Sequence, residues 1–167
     1  VNNTSVIRKF DFAAAHRLIE TVPEGHPCNN LHGHNYECEL EIITKLNREM
    51  IIDFSKLKTV INTVLFRFDH KVILNSSDSL ICILKNLNQK MFLLVGDPTV
   101  ENMTFCMGHL LMHELVFSMD FSKVISFILR MSETMNSIGT YTWNLGDSQC
   151  RVQERTVVLD EDIICYI

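Results

Sequence analysis

CNNLHGHNYECELEI, residues 28–42, alternates with unusual strictness. His32, His34, Tyr36, Cys38, Leu40 and Ile42 share one parity; Glu37, Glu39 and Glu41 share the other. Successive side chains of a strand point to opposite faces, so this is a strand with one apolar and one charged face, running from about residue 32 to 46. Both histidines project from the apolar side. The same alternation occurs upstream in SVIRKFDFAAAH, residues 5–16, where Val6, Phe10, Phe12, Ala14 and His16 oppose Lys9 and Asp11. A loop over 17–31, holding Pro23, Gly25 and Pro27, joins the two. If these strands pair as neighbours, His16, His32 and His34 converge at one end of one sheet face.

Downstream, Asn47 and Arg48 read as a hairpin-like turn, and Asp53 as the N-cap of a helix. The apolar stripe of that helix is Phe54, Leu57, Ile61, Val64 or Leu65, and Phe68. DHKVILN follows at 69–75. Residues 76–97 hold a polar break, an apolar run around Leu80 to Leu84 and the strand-like MFLLV. A second helix starts at Asp97-Pro98-Thr99, with Thr99 as N-cap and Glu101 in its first turn, and runs to about Phe117. It is apolar nearly all round, which predicts burial on more than one side, another subunit being one candidate cover. FSKVISFILRMSE, residues 121–133, is a third strand with Phe121, Ile125, Phe127, Leu129 and Met131 on one face and Glu133 ending it. A fourth covers roughly 138–145, and the tail is read as one strand more. Strands grouped around two helices predict an α+β fold, with an antiparallel sheet covered on one face.

The 167 residues fit one domain over 1–167. A net charge of -5 argues against a nucleic-acid platform, which needs a basic footprint. No apolar run reaches the ~20 residues that span a bilayer. VNNTSVIRKF contains no apolar leader, so no secretory signal is expected, and Asn3-Thr4-Ser5 is read as a chance match to a glycosylation acceptor. Of six cysteines, Cys38, Cys82, Cys106 and Cys165 sit in apolar or periodic segments and read as small hydrophobes of a reducing, cytoplasmic protein.

Three neutral imidazoles suit a zinc, iron, copper or nickel ion, and three ligands with an open fourth position is the arrangement of catalytic zinc. The competing readings are ordinary half-buried histidines and a closed Cys28–His₃ structural site. Cys28 lies four residues before His32, where a nearby cation would favour its thiolate. Asp69-His70 is a pair in which the carboxylate can orient a proton-moving imidazole, provided that it lies in a turn. Glu133 is a carboxylate ending an apolar stripe and needs a partner there; a guanidine-like ring edge would match it bidentately. His109 and His113, with Glu114 beside them, read as a solvated or interface pair, since their order is not that of a metalloprotease helix.

Taken together, F-x-A-A-H-R-L, P-E-G-H-x-C-x-x-x-H-G-H-x-Y, I-I-D-F-x-x-L-K, D-H-x-x-L-N, P-T-x-E-N and the Glu after the third strand resemble the 6-pyruvoyltetrahydropterin synthase superfamily. Within it they look most like the bacterial branch that forms 6-carboxy-5,6,7,8-tetrahydropterin in the queuosine pathway. The resemblance runs from residue 6 to about 145. It implies a T-fold with a four-stranded antiparallel sheet, two helices on one face, and subunits that close β-barrels as trimers and pair as hexamers. It implies zinc on His16, His32 and His34, Cys28 as general base, and Asp69 with His70 as the second proton-handling group. Glu133 would anchor the pterin edge, with Thr99 and Glu101 near the ring. The implied reaction converts 7,8-dihydroneopterin triphosphate to the 6-carboxy product, acetaldehyde and triphosphate. A pyruvoyl-forming synthase and a non-catalytic pterin-binding protein are the alternatives. Arg17 and Lys71 are candidates for steering the triphosphate. Two departures stand out: the insertion at 76–97 and the C-terminal extension at 146–167.

Overall fold

A computed structural model describes residues 2–45, 50–144, 146, 157–160 and 163–166. The expected turn at Asn47 and Arg48 lies outside them. Strand β1 spans Asn3–His16 and β2 spans His32–Lys45. They pair antiparallel without interruption, placing His16 opposite His32 and Ala14 opposite His34. Strands β5 (Val124–Thr134) and β6 (Ser137–Asn144) extend the antiparallel sheet on the β2 side. The apolar face carries Phe12, Tyr36, Cys38, Leu40, Ile42, Phe127, Leu129 and Met131, all buried. A bulge pairs Ile43 with Ser126 but Thr44 with Val124, so Ile125 is the extra residue and Val124 takes the buried place expected of it.

The sheet is larger than the four strands expected. KVILN and MFLL are continuous apolar runs, which suit strands covered on both faces. They form β3 (Lys71–Asn75) and β4 (Met91–Leu94), parallel to β1 and to each other. The tail gives two strands rather than one, β7 (Val157–Asp160) and β8 (Ile163–Tyr166), and the sheet order is β6-β5-β2-β1-β3-β4-β8-β7.

Helix α1 (Phe54–Leu65) is capped by Asp53, whose carboxylate accepts from the Ser55 and Lys56 amides. It buries Leu57, Val60, Ile61 and Val64, while Phe54 stays exposed. Helix α2 (Leu80–Asn86) lies within residues 76–97 and joins β3 to β4. Helix α3 (Val100–Val116) is capped by Thr99. Helices α1 and α3 share the main core with the sheet, as expected. Helix α2 does not join them. Leu84 packs with Leu74, Met91 and Leu93, which alternate with the main-core residues Ile73, Phe92 and Leu94, so α2 covers the opposite face. No helix among the described residues is long and apolar enough to cross a membrane.

Two glycines let α3 approach β6. A methyl at Gly108 would lie 2.7 Å from Cγ of Tyr141, and one at Gly139 would lie 2.7 Å from the Thr104 hydroxyl. Neither contact ends on a freely moving tip.

The loop between β1 and β2 has little regular structure of its own beyond a 3-10 turn at Pro27–Asn29. It is held from outside. Asp97 Oδ2 accepts from the amides of Ile19, Glu20 and Thr21 at 2.9, 2.8 and 2.8 Å, and from the Thr21 hydroxyl at 2.8 Å. Its Oδ1 accepts from the Asn75 amide at 3.2 Å. Burial alone would raise this carboxyl, but the three amides and Asn75 outweigh it and hold the pKa at about 2.

Two outcomes follow from this packing. Gly108→Ala should destabilise the protein by about 1–3 kcal/mol through overpacking against Tyr141, although alanine is the better helix former by about 1 kcal/mol; a urea melt with unchanged stability would show that the ring steps aside. The folded Asp97 value lies below the unfolded value of 3.8, so its contribution is present above the unfolded value and is lost as pH falls through about 2. Wild type should therefore lose more stability than Asp97→Asn over that window in urea melts at stepped pH; parallel curves would refute the assignment.

Candidate metal centre

The β1–β2 register builds the centre. Residues directly opposite on an antiparallel pair stand close, and their diagonal neighbours remain within reach of long side chains. His16 and His32 are such a pair, with His34 on the next diagonal. The ring centroids lie 4.5 Å (His16–His32), 5.2 Å (His16–His34) and 5.0 Å (His32–His34) apart. Each ring offers one nitrogen to a common point, all three atoms within 4.8 Å of one another, and His16 Nε2 is 3.0 Å from His32 Nε2. Two bond vectors of about 2.0–2.1 Å at a tetrahedral ion put the nitrogens roughly 3.3 Å apart, inside that spread.

Tautomers are fixed from behind. His16 Nδ1 lies 2.8 Å from the Pro98 carbonyl and His32 Nδ1 2.8 Å from the Asn30 carbonyl. A carbonyl only accepts, so both Nδ1 atoms carry hydrogen and both Nε2 lone pairs are left for an ion. His34 Nε2 is buried with no hydrogen-bond partner. Burial also pushes the His34 pKa down, with Glu133 acting the other way, so the ring favours the neutral form that ligates. A buried, orphaned imidazole nitrogen beside two oriented ones fits a bound divalent metal.

Glu133 is brought to this group. Its Oε1 lies 3.0 Å from His16 Nε2 and 3.5 Å from His34 Nε2, and accepts from the Tyr36 hydroxyl at 3.4 Å. Without a metal, a proton on His16 Nε2 bonds this oxygen, and that contact holds the Glu133 carboxyl below its ordinary range against the pull of burial. Tyr36 was not foreseen as a site residue, although it continues the H-x-H-x-Y parity. It is fully buried and stacks on Phe12 at 4.9 Å, flooring the centre. Burial and the Glu133 charge push its phenol up, so it remains a donor.

Cys28 sits half-buried in the 3-10 turn, two residues before the Asn30 carbonyl that holds His32. It is not one of the side chains that converge, so a closed Cys28–His₃ site is not what the geometry forms. Cys38, by contrast, is sealed inside β2, where burial pushes its thiol far up. Thr99 caps α3 next to Pro98, and Glu101 is exposed in the first turn.

Asp69 and His70 form the expected pair in a turn. His70 Nδ1 lies 2.9 Å from Asp69 Oδ1, which also accepts from the Ala13 amide at 3.1 Å, and the His70 amide donates to the Ala13 carbonyl at 2.8 Å. His70 adopts a left-handed φ of 56°. The pair is not brought to the histidines within one chain. His70 lines an open depression whose walls include Ala13, Ala15, Gly33 and Asn35, positions that alternate with His16 and His34 and so face away from the ligating rings, although His34 itself contributes to the rim of that depression.

Two further expectations, for Arg17 and His109, are corrected, and that for Lys71 is untouched. Arg17 does not project a free charge: its guanidinium grips buried Asp78 bidentately, with Nε 2.8 Å from Oδ2, and that bond raises its pKa. The Lys71 ammonium stands 5.1 Å from the Phe66 ring centroid. His109 is buried rather than solvated, its Nδ1 3.0 Å from the Phe105 carbonyl and its ring 4.8 Å from Tyr141, because α3 packs on β6 there. Asp78 and Asp97 were missed as contributors. The only signal for Asp97 was its place before Pro98, and its loop partners are 76–78 residues away.

Comparison with known proteins gives the family. A family model described as 6-pyruvoyl tetrahydropterin synthase matches residues 5–144. A 6-carboxy-5,6,7,8-tetrahydropterin synthase of Rickettsia bellii is 37% identical over 102 residues, covering 57% of this chain and 70% of the relative. One of Haemophilus influenzae is 31% identical over 121 residues, covering 65% and 82%. The 6-pyruvoyl tetrahydropterin synthase structure of Plasmodium vivax superposes with a TM-score of 0.69 at 18% identity, over 87% of this chain and all of that one. That of Caenorhabditis elegans gives 0.59 at 25%, over 86% and 97%. The shared architecture is the T-fold, and the span of the family match, from within β1 to the end of β6, makes this chain a member of the 6-pyruvoyl tetrahydropterin synthase family.

Proposed function

We propose that this chain is a zinc-dependent lyase acting on 7,8-dihydroneopterin triphosphate, which with water gives 6-carboxy-5,6,7,8-tetrahydropterin, acetaldehyde and triphosphate. The observation that carries the reading is the convergence of His16, His32 and His34, two of them with Nδ1 tied to carbonyls. The names of the bacterial relatives favour the carboxy product. Zinc held by these three nitrogens would supply Lewis acidity toward the side-chain hydroxyls of the substrate, loosening the neighbouring C–H proton.

The protein does the rest. Cys28, on a turn that leads directly into His32, takes that proton as general base. Glu133 holds the amino and ring N–H edge of the pterin, and the Tyr36 hydroxyl keeps its carboxylate oriented. Thr99 and Glu101 border the ring from the start of α3. Asp69 aligns the His70 imidazole to return a proton at a second carbon. Since that pair lies on the opposite sheet face, it serves the centre of a neighbouring copy. A homo-oligomer is also favoured by the β1 edge: beyond the short β3 pairing at Ala14–His16, its other long side has no partner strand among the described residues, and β6 is a sheet terminus. Edges of this kind close when β6 of one copy pairs with β1 of the next. The free thiols of Cys28, Cys38, Cys82 and Cys106 suit a reducing, cytoplasmic setting.

Zinc-loaded protein incubated with 7,8-dihydroneopterin triphosphate should yield the 6-carboxy product by mass spectrometry. A 6-pyruvoyl product would move the chain to the other branch, and untouched substrate with zinc bound would leave a binding protein. Cys28→Ala should keep zinc and lose about 10²–10⁴-fold in turnover, whereas His34→Ala should lose the metal. Refolding Cys28→Ala together with His70→Ala should recover part of the activity that neither has alone; no recovery would place both groups in one subunit's centre.

A further inference from the structure

The 76–97 insertion grips the loop that carries Cys28 at two points, on either side of one residue. Arg17 is bound by Asp78, and the Ile19, Glu20 and Thr21 amides are bound by Asp97. Leu18 lies between them, and it is Leu18 that holds the turn: its amide donates to the Cys28 carbonyl at 2.9 Å, and its carbonyl accepts from the Asn29 side chain at 2.9 Å. Asp97 also leads into Pro98, whose carbonyl fixes His16. One short segment therefore references the thiol-bearing turn and a metal-ligating ring to the same frame.

Both carboxylates are buried, at 3% exposure each, and both are fully engaged. Burying a charge is costly unless it is well paired. Asparagine cannot replace Asp97 silently. One side of its amide becomes a donor, facing either the three loop amides or the Asn75 amide, and turning Asn75 round would break its bonds from the Ser77 amide and hydroxyl. A loop of this length without regular structure has much conformational entropy to lose, and a base is effective only when it is held near its proton.

We propose that Asp97 and Asp78 are positioning residues that set where the Cys28 thiol stands relative to the His16–His32–His34 centre, so that the insertion acts as a brace for the reactive loop. This rests on the assignment of Cys28 as the base. A purely structural role predicts lower stability with an unchanged thiol environment and unchanged turnover per folded, zinc-loaded chain.

The test compares zinc-loaded Asp97→Asn, Asp78→Asn and Cys28→Ala with wild type. It reads the iodoacetamide alkylation rate of Cys28 by peptide mass spectrometry, with exposed Cys82 as internal reference, together with zinc content, kcat and KM. The expected result for both aspartate variants is Cys28 alkylation changed at least about threefold, Cys82 unchanged, zinc retained, and KM within about threefold. The expected kcat loss is about 10- to 100-fold, the scale of a small misplacement. If Asp97→Asn does not fold, Asp78→Asn carries the test, since it frees Arg17 and leaves the Asp97 bonds in place. Cys28 alkylation and kcat within twofold of wild type in the folded variants would overturn the inference, as would a kcat loss matched by lost zinc. Full turnover by Cys28→Ala would instead overturn the base assignment, and the inference would fall through that arm alone.

Discussion

His16 stands opposite His32 because β1 and β2 pair without a bulge from one end to the other. Everything at the centre depends on that register. A slip of one residue would turn both H-x-H imidazoles to the charged face and bring Gly33 and Asn35 in their place. The register is secured along the strand by the buried side chains of Tyr36, Cys38, Leu40 and Ile42, whose removal to solvent would cost about 1.5–3 kcal/mol for each large apolar group. Packing energy along the strand thus fixes the position of ligands at its end.

Register places the rings, but it does not orient them. Orientation comes from two carbonyls of different origin: Asn30, from the loop that enters β2, and Pro98, from the approach to α3. The same economy appears at His70, whose left-handed backbone is uncommon for a residue with a side chain. Its amide is bonded to the Ala13 carbonyl and its ring to Asp69, so the turn is specified from both ends. The contrast of Cys28 with Cys38 makes a related point. They are ten positions apart, yet one lies half-buried on a loop and the other is sealed within a strand. Environment, and not residue type, sets the access of each thiol to solvent.

Sequence alone determined the alternating strands, both helix caps, the shared face of His16, His32 and His34, and the family. These follow from local rules: strand parity has a period of two, a capping side chain acts within three residues, and the pattern of motifs is linear. Tertiary structure decided what depended on distant partners. Strands β3 and β4 became parallel additions to the sheet, with α2 on the far face, because their apolar runs fit burial on either side and parity could not choose. His109 was drawn into the α3–β6 contact by Gly108 and Tyr141, which lie on different elements. Arg17 found Asp78 and the loop amides found Asp97 across more than sixty positions of sequence. Buried charges take whatever partner the fold places within about 3 Å, and no local pattern in the chain encodes which one that is.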